Sequence, residues 1–352
     1  DLLSYRAPYV IMLAWLILSL TAAGCALGHH RPSTAASSAL APRAKVKKYN
    51  PPLETSAPFA ISAGRDDAMW FTEFHQNRIG RIDPLGEVTS FELPTGGFPE
   101  RLAAGPDGAI WYTDPAGNRI GRLARDGSVE TVPIPTPHSG PAAITLGSDG
   151  NLWFTEHAAN MIGRITPLGN LTEFALPGAG GPAGIVSAPD GNLYIAENIG
   201  DQIIRMSTRG RLEVFKLPNP NRIPNDIAAA TDGDIWFTEL GEGGVGRLSP
   251  DGRIEEYQLP VHGIPFGITA VPGGDVWLTV AKADALCRID ADGHIVSYQL
   301  PGGADPSFIA AGPYGNLWFT QPDGRIGRFN PLGFLKEFKV AVPAGLMQRS
   351  SG

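Results

Sequence analysis

The side chains that could do chemistry in this 352-residue chain are a few charged residues and histidines that interrupt a repeating pattern. Glu100, Asp226 and Asp305 carry carboxylates, which are the ligands that Mg²⁺ and Ca²⁺ prefer in proteins. A histidine imidazole can act as a general base near neutral pH. The histidine candidates are His138, His157 and His262. These residues predict an oxygen-ligated Mg²⁺ or Ca²⁺, or proton abstraction by a histidine, if the chain is an enzyme.

The pattern that these residues interrupt is an internal repeat. An anchor of the form W-F-T-E recurs at spacings of 41 or 42 residues, at Trp70, Trp111, Trp153, Tyr194, Trp236, Trp277 and Trp318. Around each anchor, short alternating runs are separated by Gly and Asp-Gly turns, which predicts four short strands per unit. Units of about 40 residues with four strands are typical of β-propellers. The sequence therefore predicts an all-β, seven-bladed propeller of four-stranded antiparallel blades.

Residues that occur in every unit are expected to be structural. The arginine of a Gly-Arg pair recurs in all seven units, and an acidic residue ends the anchor in five, which predicts an arginine–carboxylate lattice between neighbouring strands. Cys287 replaces the glycine of that pair in unit six and is interpreted as a small buried hydrophobe. We expect residues 44–52 to supply the outer strand of the last blade, with residues 333–343 beside it or frayed.

Strand parity places the loop before the first strand and the loop after W-F-T-E on one rim of the propeller. Residues on that rim that do not repeat are the candidates for function. The predicted ligand-binding residues are Phe59, Glu100, Arg101, Asn225, Asp226, Phe266 and Ser307. The metal ligands would be Glu100, Asp226 and Asp305. The same rim also carries His75, Asn198 and Phe308.

Composition excludes several classes of protein. Lys and Arg total 28 against 35 Asp and Glu, a net charge of −7, so a nucleic-acid partner is not expected. The 44 Gly and 32 Pro indicate many turns, while a hydrophobic content of 43% indicates a packed core rather than disorder. Only two cysteines occur, in unrelated contexts, which excludes a disulfide framework.

The N-terminal segment has the character of an export signal. An uncharged apolar run at 10–20 is followed by Ala22, Ala23 and Gly24 before Cys25, which resembles the lipobox of bacterial lipoproteins. We expect lipidation at Cys25; ordinary cleavage or an uncleaved anchor are the alternatives. The predicted organisation is a signal or lipoprotein segment at 1–25, a flexible tether at 26–44, the propeller at 45–345 and a disordered tail at 346–352. The protein would be a monomer in the bacterial cell envelope, tethered to the outer face of the membrane.

Three motifs carry a family resemblance. At P-x-G-I, D-G-N-L-W-F-T-E and N-x-I-G-R-I the chain resembles the streptogramin B (virginiamycin B) lyase family over roughly residues 45–340. The resemblance implies a seven-bladed propeller that opens the ester of a cyclic depsipeptide by elimination. It also implies a histidine base in P-H-G-I, a second histidine in P-H-A-I, and carboxylates that hold Mg²⁺, one of them directly before the proline of P-H-G-I.

The chain departs from that pattern where the resemblance places the chemistry. The two positions after the corresponding prolines contain no histidine in any unit. Asp305 precedes Pro306 as the metal carboxylate would, but Ser307 stands where the base should be. A serine without a partner base cannot abstract that proton. We therefore expect a propeller that binds a small or peptidic ligand, or a partner protein, at its rim. The alternative is a Mg²⁺-dependent virginiamycin B lyase conferring antibiotic resistance, or a related metal-dependent hydrolase.

Overall fold

The computed structural model describes residues 57–340 apart from Thr95 and Ala179, together with the backbone of two short strands, β1 (Ala44–Lys45) and β2 (Lys48–Tyr49). Cys25, the predicted 1–25 segment, most of the 26–44 tether and the 346–352 tail lie outside the described residues. The described part of the chain has two single 3₁₀ turns, at Phe74–Gln76 and Pro313–Gly315. Within residues 57–340 no helix is long and apolar enough to cross a membrane.

The predicted seven blades are confirmed, and each is a sheet of four consecutive antiparallel strands, called A to D from first to last. Blades one and two comprise β3 (Ile61–Ala63), β4 (Met69–Glu73), β5 (Arg78–Ile82), β6 (Val88–Glu92), and β7 (Leu102–Ala104), β8 (Ile110–Asp114), β9 (Arg119–Leu123), β10 (Ser128–Pro133). Blades three and four comprise β11 (Pro141–Leu146), β12 (Leu152–Glu156), β13 (Met161–Ile165), β14 (Leu171–Ala175), and β15 (Pro182–Ser187), β16 (Leu193–Glu197), β17 (Gln202–Met206), β18 (Leu212–Lys216).

The remaining blades repeat the arrangement, and every W-F-T-E anchor lies on a strand B. Blade five comprises β19 (Pro224–Ala229), β20 (Ile235–Glu239), β21 (Gly244–Leu248) and β22 (Ile254–Gln258). Blade six comprises β23 (Ile264–Ala270), β24 (Val276–Ala281), β25 (Ala285–Ile289) and β26 (Ile295–Gln299). Blade seven comprises β27 (Ile309–Ala311), β28 (Leu317–Gln321), β29 (Arg325–Asn330) and β30 (Phe334–Lys339).

Ring closure differs from the prediction. The expectation that residues 44–52 complete the last blade is wrong, because blade seven already has its own fourth strand, β30, paired along its length with β29. The N-terminal strands instead add a fifth strand outside blades one and two, where β2 pairs with β6 and β1 with β10. Blades seven and one are joined through side chains. Thr320 Oγ1 donates to the Phe59 carbonyl and Arg328 Nη1 to the Pro84 carbonyl, each at 2.6 Å.

The threonine of W-F-T-E links neighbouring blades. In blade two, for example, Thr113 Oγ1 accepts a hydrogen bond from Arg101 N–H at 3.1 Å and donates to the Ala142 carbonyl of blade three at 2.6 Å. The same pair of bonds occurs in six of the seven blades. Blade four has Ala196 at this position, so the seam between blades four and five lacks the hydroxyl. The threonines therefore position the start of most A strands, which form the channel mouth.

Cross-strand size complementarity explains the repeated glycine. Phe154 lies opposite Gly163, where an added Cβ would be 2.0 Å from the phenyl Cζ. In blade six the opposed pair is Leu278 and Cys287, so a smaller partner leaves room for a side chain. Cys287 is fully buried, and burial raises the pKa of its thiol to about 12. Its interpretation as a small buried hydrophobe is confirmed.

The arginine lattice exists, but with a different partner from the one predicted. In four blades the recurring arginine pairs with an aspartate of the A–B turn, as Arg81 Nε does with Asp66 Oδ2 at 2.7 Å. In five blades its guanidinium lies over the anchor indole. The acid that ends the anchor is at the opposite end of strand B. There Glu73 pairs with Arg78 at 2.6 Å, and both side chains are buried. Each arginine therefore pairs with the acid at its own end of the blade. A count of recurring residues does not reveal which end that is.

Candidate functional site at the channel mouth

The rim predicted from strand parity is confirmed by register. Pro141 pairs with Glu156, so the start of strand A and the end of strand B lie at the same end of the blade. Gly-rich and proline-led loops before strand A therefore share this end with the loops after W-F-T-E. Strand A of each blade packs against strand A of the next blade around the ring, so these strands line the channel. Their first residues, which include most of the predicted ligand-binding set, therefore lie at the channel mouth.

An ion pair connects blades across the mouth. Arg101 Nη2 of blade two is 3.2 Å from Asp226 Oδ1 of blade five, and the two side chains are 19% and 12% exposed. The Arg101 guanidinium carbon also lies 3.6 Å from the ring centroid of Phe308, in blade seven. A guanidinium at this distance from a ring gains a cation–π attraction that is stronger where water is excluded. Three blades thus meet through Arg101.

Asp226 is held by more than the arginine. Its Oδ2 accepts a hydrogen bond from Ile268 N–H at 3.0 Å, and its own N–H donates to Thr238 Oγ1 at 3.0 Å. A charged group in this position is stabilised when its oxygens are paired. The sequence predicts Arg101 and Asp226 individually as rim residues. Their ion pair is visible only in the structure, where blades two and five lie opposite each other.

Aromatic side chains form a band from the mouth to the outer rim. Phe308 contacts Phe266 edge-on at a centroid distance of 4.8 Å and Phe59 at 5.0 Å. Phe59 in turn contacts Phe74 at 5.7 Å, and Phe74 contacts Phe98 at 5.4 Å. Phe98 is 40% exposed. This band, which runs from the buried Phe308 to the exposed Phe98, provides apolar surface on which a ligand ring can pack.

Glu100 introduces a titratable group beside the arginine. Burial raises the pKa of its carboxyl to about 7, and the charge of Arg101 opposes that increase. Glu100 N–H donates to the Thr113 carbonyl, and its own carbonyl accepts from Thr72 Oγ1, which fixes the backbone. The group therefore changes charge close to neutral pH.

Asn225 and Ser307 are buried at the mouth. Asn225 is 5% exposed, and its Nδ2 has no hydrogen-bond partner among the described residues. It lies at the one blade seam where alanine replaces the linking threonine. Ser307 is also 5% exposed, and its carbonyl accepts from Gly267 N–H at 3.2 Å and from Thr279 Oγ1. Asn225 thus offers a hydrogen-bond donor to the site, while the carbonyl of Ser307 links blades six and seven.

The three histidine candidates lie in different surroundings. His157 Nε2 is 3.3 Å from Asn198 Oδ1, and burial lowers the pKa of the imidazole, with the Asn198 contact opposing the decrease. His138 and His262 are exposed. His138 has a positive φ of 53°, which suits the turn it occupies. Only His157, of these three, is enclosed by the rim, and its catalytic role stays a prediction.

Two of the three predicted metal carboxylates, those of Asp305 and Asp226, accept hydrogen bonds from other residues. Asp305 Oδ1 accepts from Lys282 N–H at 2.7 Å, and Asp226 is engaged by Arg101 and Ile268. Among the described residues, the His, Cys, Asp and Glu group whose ligand atoms lie within 4.8 Å of one another is Asp290, Asp292 and His294, on an exposed C–D turn. Glu100, Asp226 and Asp305 do not form a group of this kind among the described residues, and their role as metal ligands stays a prediction.

Comparison with known proteins agrees with this geometry. The sequence matches the family model of the virginiamycin B lyase family over residues 31–180 and 176–348. Virginiamycin B lyase of Saccharopolyspora erythraea is 40% identical over 49 residues, which is 14% of this chain and 16% of that protein's length. A streptogramin B lyase structure is 34% identical, with a TM-score of 0.75 over 83% of this chain and 97% of that one.

Two further solved structures are virginiamycin B lyases from Staphylococcus aureus. The selenomethionine-substituted enzyme is 32% identical, with a TM-score of 0.75 over 81% of this chain and 98% of that one. A catalytically inactive histidine-to-alanine variant with quinupristin is 32% identical, with a TM-score of 0.74 over the same shares. On its sequence and its seven-bladed fold, the chain belongs to the virginiamycin B lyase family.

Proposed function

We propose that this protein is a ligand-binding member of its family, tethered at the outer face of a bacterial membrane, whose channel mouth holds a small or peptidic ligand without the elimination chemistry of the lyases. The observation that carries the proposal is the pairing of Arg101 with Asp226 over Phe308, together with Ser307 where the resemblance places the base. The mouth has the components of a recognition site but lacks the expected proton acceptor.

The chemistry of the mouth favours a ligand with both aromatic and polar groups. The band from Phe308 to Phe98 supplies apolar faces, and the buried Asn225 amide supplies a hydrogen-bond donor. Leaving a buried donor unpaired costs about 1–3 kcal/mol, so a ligand acceptor at Asn225 would gain part of that energy. The solved S. aureus variant supports the separation of binding from catalysis, since it is catalytically inactive and is found with quinupristin.

The direct test uses the full chain in detergent with quinupristin and Mg²⁺. Ring opening by elimination conserves mass, so it is followed by chromatographic retention and by fragmentation of the compound. We expect calorimetric binding, while both readouts stay those of the cyclic compound over hours. Arg101→Met should weaken binding at least about tenfold by removing the cation that orders Phe308. Arg253→Met, in an exposed pair on the opposite face, is the matched control. Turnover abolished by EDTA would contradict the proposal.

A second candidate function has one observation in its favour. Glu100 has a pKa of about 7, which is suited to a general base at neutral pH. A lyase or hydrolase using Glu100 in place of the family histidine would show a rate that rises with pH through about 7. Glu100→Gln would abolish that turnover while preserving quinupristin binding. Unchanged turnover in the variant would exclude Glu100 as the base.

A further inference from the structure

The acid that ends the W-F-T-E anchor is buried, and in blades one and two an arginine accompanies it. Glu73 pairs with Arg78 and Asp114 pairs with Arg119, each at 2.6 Å. Both arginines are the first residue of strand C and lie directly opposite the acid in the strand register. Burying a carboxylate is costly unless it is paired, so the arginine offsets the charge of the acid.

Three blades carry a second glutamate on the same face of the sheet. It lies on strand D, opposite the residue that precedes the recurring arginine, at Glu173, Glu256 and Glu337. In blade seven Glu337 Oε2 is 2.9 Å from Arg325 Nη1. In blade five Glu256 Oε2 is 2.9 Å from Nη2 of Arg222, a residue of the loop that enters the blade. In both of these blades an arginine again lies beside the carboxylate.

Blade three has both glutamates but no such cation. The residue opposite Glu156 is Met161 rather than an arginine. Among the described residues, no lysine, arginine or histidine forms an ion pair with Glu156 or Glu173. Glu156 is fully buried, and neither of its carboxyl oxygens has a hydrogen-bond partner within residues 57–340. Glu173 is 6% exposed. Two buried carboxyls thus meet without the positive charge that the other blades supply.

Further oxygen atoms lie around this pair, on the loop between blades two and three. Thr136 N–H donates to Glu173 Oε1 at 3.1 Å. Burial, then the charge of Glu173, raises the pKa of Glu156 to about 8, and the Ser139 hydroxyl opposes that increase, so the three groups are close together. Ser139 is fully buried, and its N–H and hydroxyl donate to Asn118 Oδ1 at 2.9 and 3.1 Å. The loop is therefore held in place beside the two carboxyls.

We propose that Glu156 and Glu173 bind one Ca²⁺ at the seam between blades two and three, in the position that an arginine serves in other blades. A divalent cation and two carboxylates are neutral together, whereas the pair alone must keep a proton to reduce its charge. Ca²⁺ suits the pair better than Mg²⁺ because it accepts irregular sets of oxygen ligands, while Mg²⁺ gives up its water reluctantly. The Ser139 hydroxyl is a further oxygen ligand within reach. This site is separate from the ligand site proposed at the channel mouth.

The test is a calcium titration of the full chain in detergent. We expect calorimetry to give one Ca²⁺ per chain with a Kd of about 0.1–1 mM. Saturating CaCl₂ should raise the Tm by about 2–4 °C above its value in EDTA, where only a proton can offset the charge of the pair.

Two variants remove the site in different ways. Met161→Arg copies the arginine that lies opposite Glu73 in blade one, and it should abolish both the heat of binding and the Tm shift because its guanidinium replaces the cation. Glu156→Gln/Glu173→Gln removes the charge and should abolish both as well. Met161→Leu keeps an apolar side chain of similar size and should bind Ca²⁺ as the parent does.

A control addresses the exposed group of Asp290, Asp292 and His294 on the C–D turn of blade six. Asp292→Asn should leave the Kd and the Tm shift unchanged. If Asp292→Asn abolishes the titration instead, the turn is the calcium site and the inference is overturned. It is also overturned if CaCl₂ and EDTA give the same Tm and no heat of binding, since the pair then holds a proton and no metal. Parent-like binding by Met161→Arg and by the double glutamine variant would place the site elsewhere and contradict the inference.

Discussion

Arg101 and Asp226 meet at 3.2 Å although 125 residues separate them, because blades two and five face each other across the channel. Arg101 lies over Phe308 at the same time, so three blades depend on one guanidinium. This ion pair therefore contributes both to the contact between blades and to the surface of the channel mouth. Substitutions at the site should therefore change the stability of the fold as well as ligand binding.

Arg101→Met should destabilise the protein. It removes the cation while Asp226 stays 12% exposed, and breaking a largely buried pair from one side costs about 3 kcal/mol. Asp226 retains its hydrogen bond from Ile268 N–H, so we expect the free energy of unfolding, measured in urea, to fall by about 2 kcal/mol. The double variant Arg101→Met/Asp226→Asn should recover at least half of that loss. Loss of the exposed Arg253 should change the free energy of unfolding by less than about 0.5 kcal/mol. Equal effects of Arg101→Met and Arg253→Met would contradict the role assigned to the pair.

The threonine links predict opposite effects at two blades. Thr238→Val removes the hydroxyl that accepts from Asp226 N–H and donates to the Phe266 carbonyl, so unfolding should become easier by about 1–3 kcal/mol. Ala196→Thr introduces the missing hydroxyl at the seam of blades four and five and should raise the free energy of unfolding by about 1 kcal/mol. Both are measured by thermal and urea unfolding. Destabilisation by Ala196→Thr would show that this seam is packed too tightly to accept the link.

Sequence periodicity was sufficient for the fold but only partly sufficient for the site. Recurrence of W-F-T-E gave the number of blades and the position of strand B, because a repeated side chain is buried in the same place each time. Strand parity also placed Arg101 and Asp226 on one rim. The contact between Arg101 and Asp226 depends on which blades lie opposite each other across the channel. A local sequence pattern does not contain that information. Ring closure was predicted incorrectly because two segments had equal strand character and only pairing with β29 distinguishes them.

The repeated glycine was recognised by periodicity, yet its cause becomes visible only in the cross-strand register. Gly163→Ala should destabilise the protein by about 2 kcal/mol or more, because the new Cβ would overlap the Phe154 ring. Phe154→Leu/Gly163→Cys copies the Leu278–Cys287 pair of blade six and should be less destabilised than Gly163→Cys alone. A double-mutant cycle by urea unfolding measures the coupling, which we expect to favour the matched pair by about 1 kcal/mol. Simple additivity would contradict size complementarity as the reason for the glycine.

Glu156 and Glu73 occupy the same position in blades three and one but have opposite surroundings. Glu73 pairs with Arg78, whereas Glu156 lies opposite Met161, next to Glu173. Burial, and then the charge of Glu173, raises the pKa of Glu156 from 4.5 to about 8. The folded protein therefore keeps this carboxyl protonated at neutral pH, where the unfolded chain ionises it.

The sign of the pH dependence follows. Because the pKa of Glu156 is higher in the folded protein than in the unfolded chain, the stability that its carboxyl contributes is fully present below about pH 4.5. That stability is lost as the pH rises through about 8. Glu156→Gln does not titrate, so at pH 8.5 it should be more stable than the parent by about 2–4 kcal/mol, and at pH 4 the two should agree within about 1 kcal/mol. Glu73→Gln, the matched control, should instead lose about 3 kcal/mol at pH 7 because Arg78 stays buried without its partner. Urea unfolding across pH 4 to 8.5 measures both. If the difference in stability between the parent and Glu156→Gln does not grow with pH, Glu156 is already ionised in the folded protein.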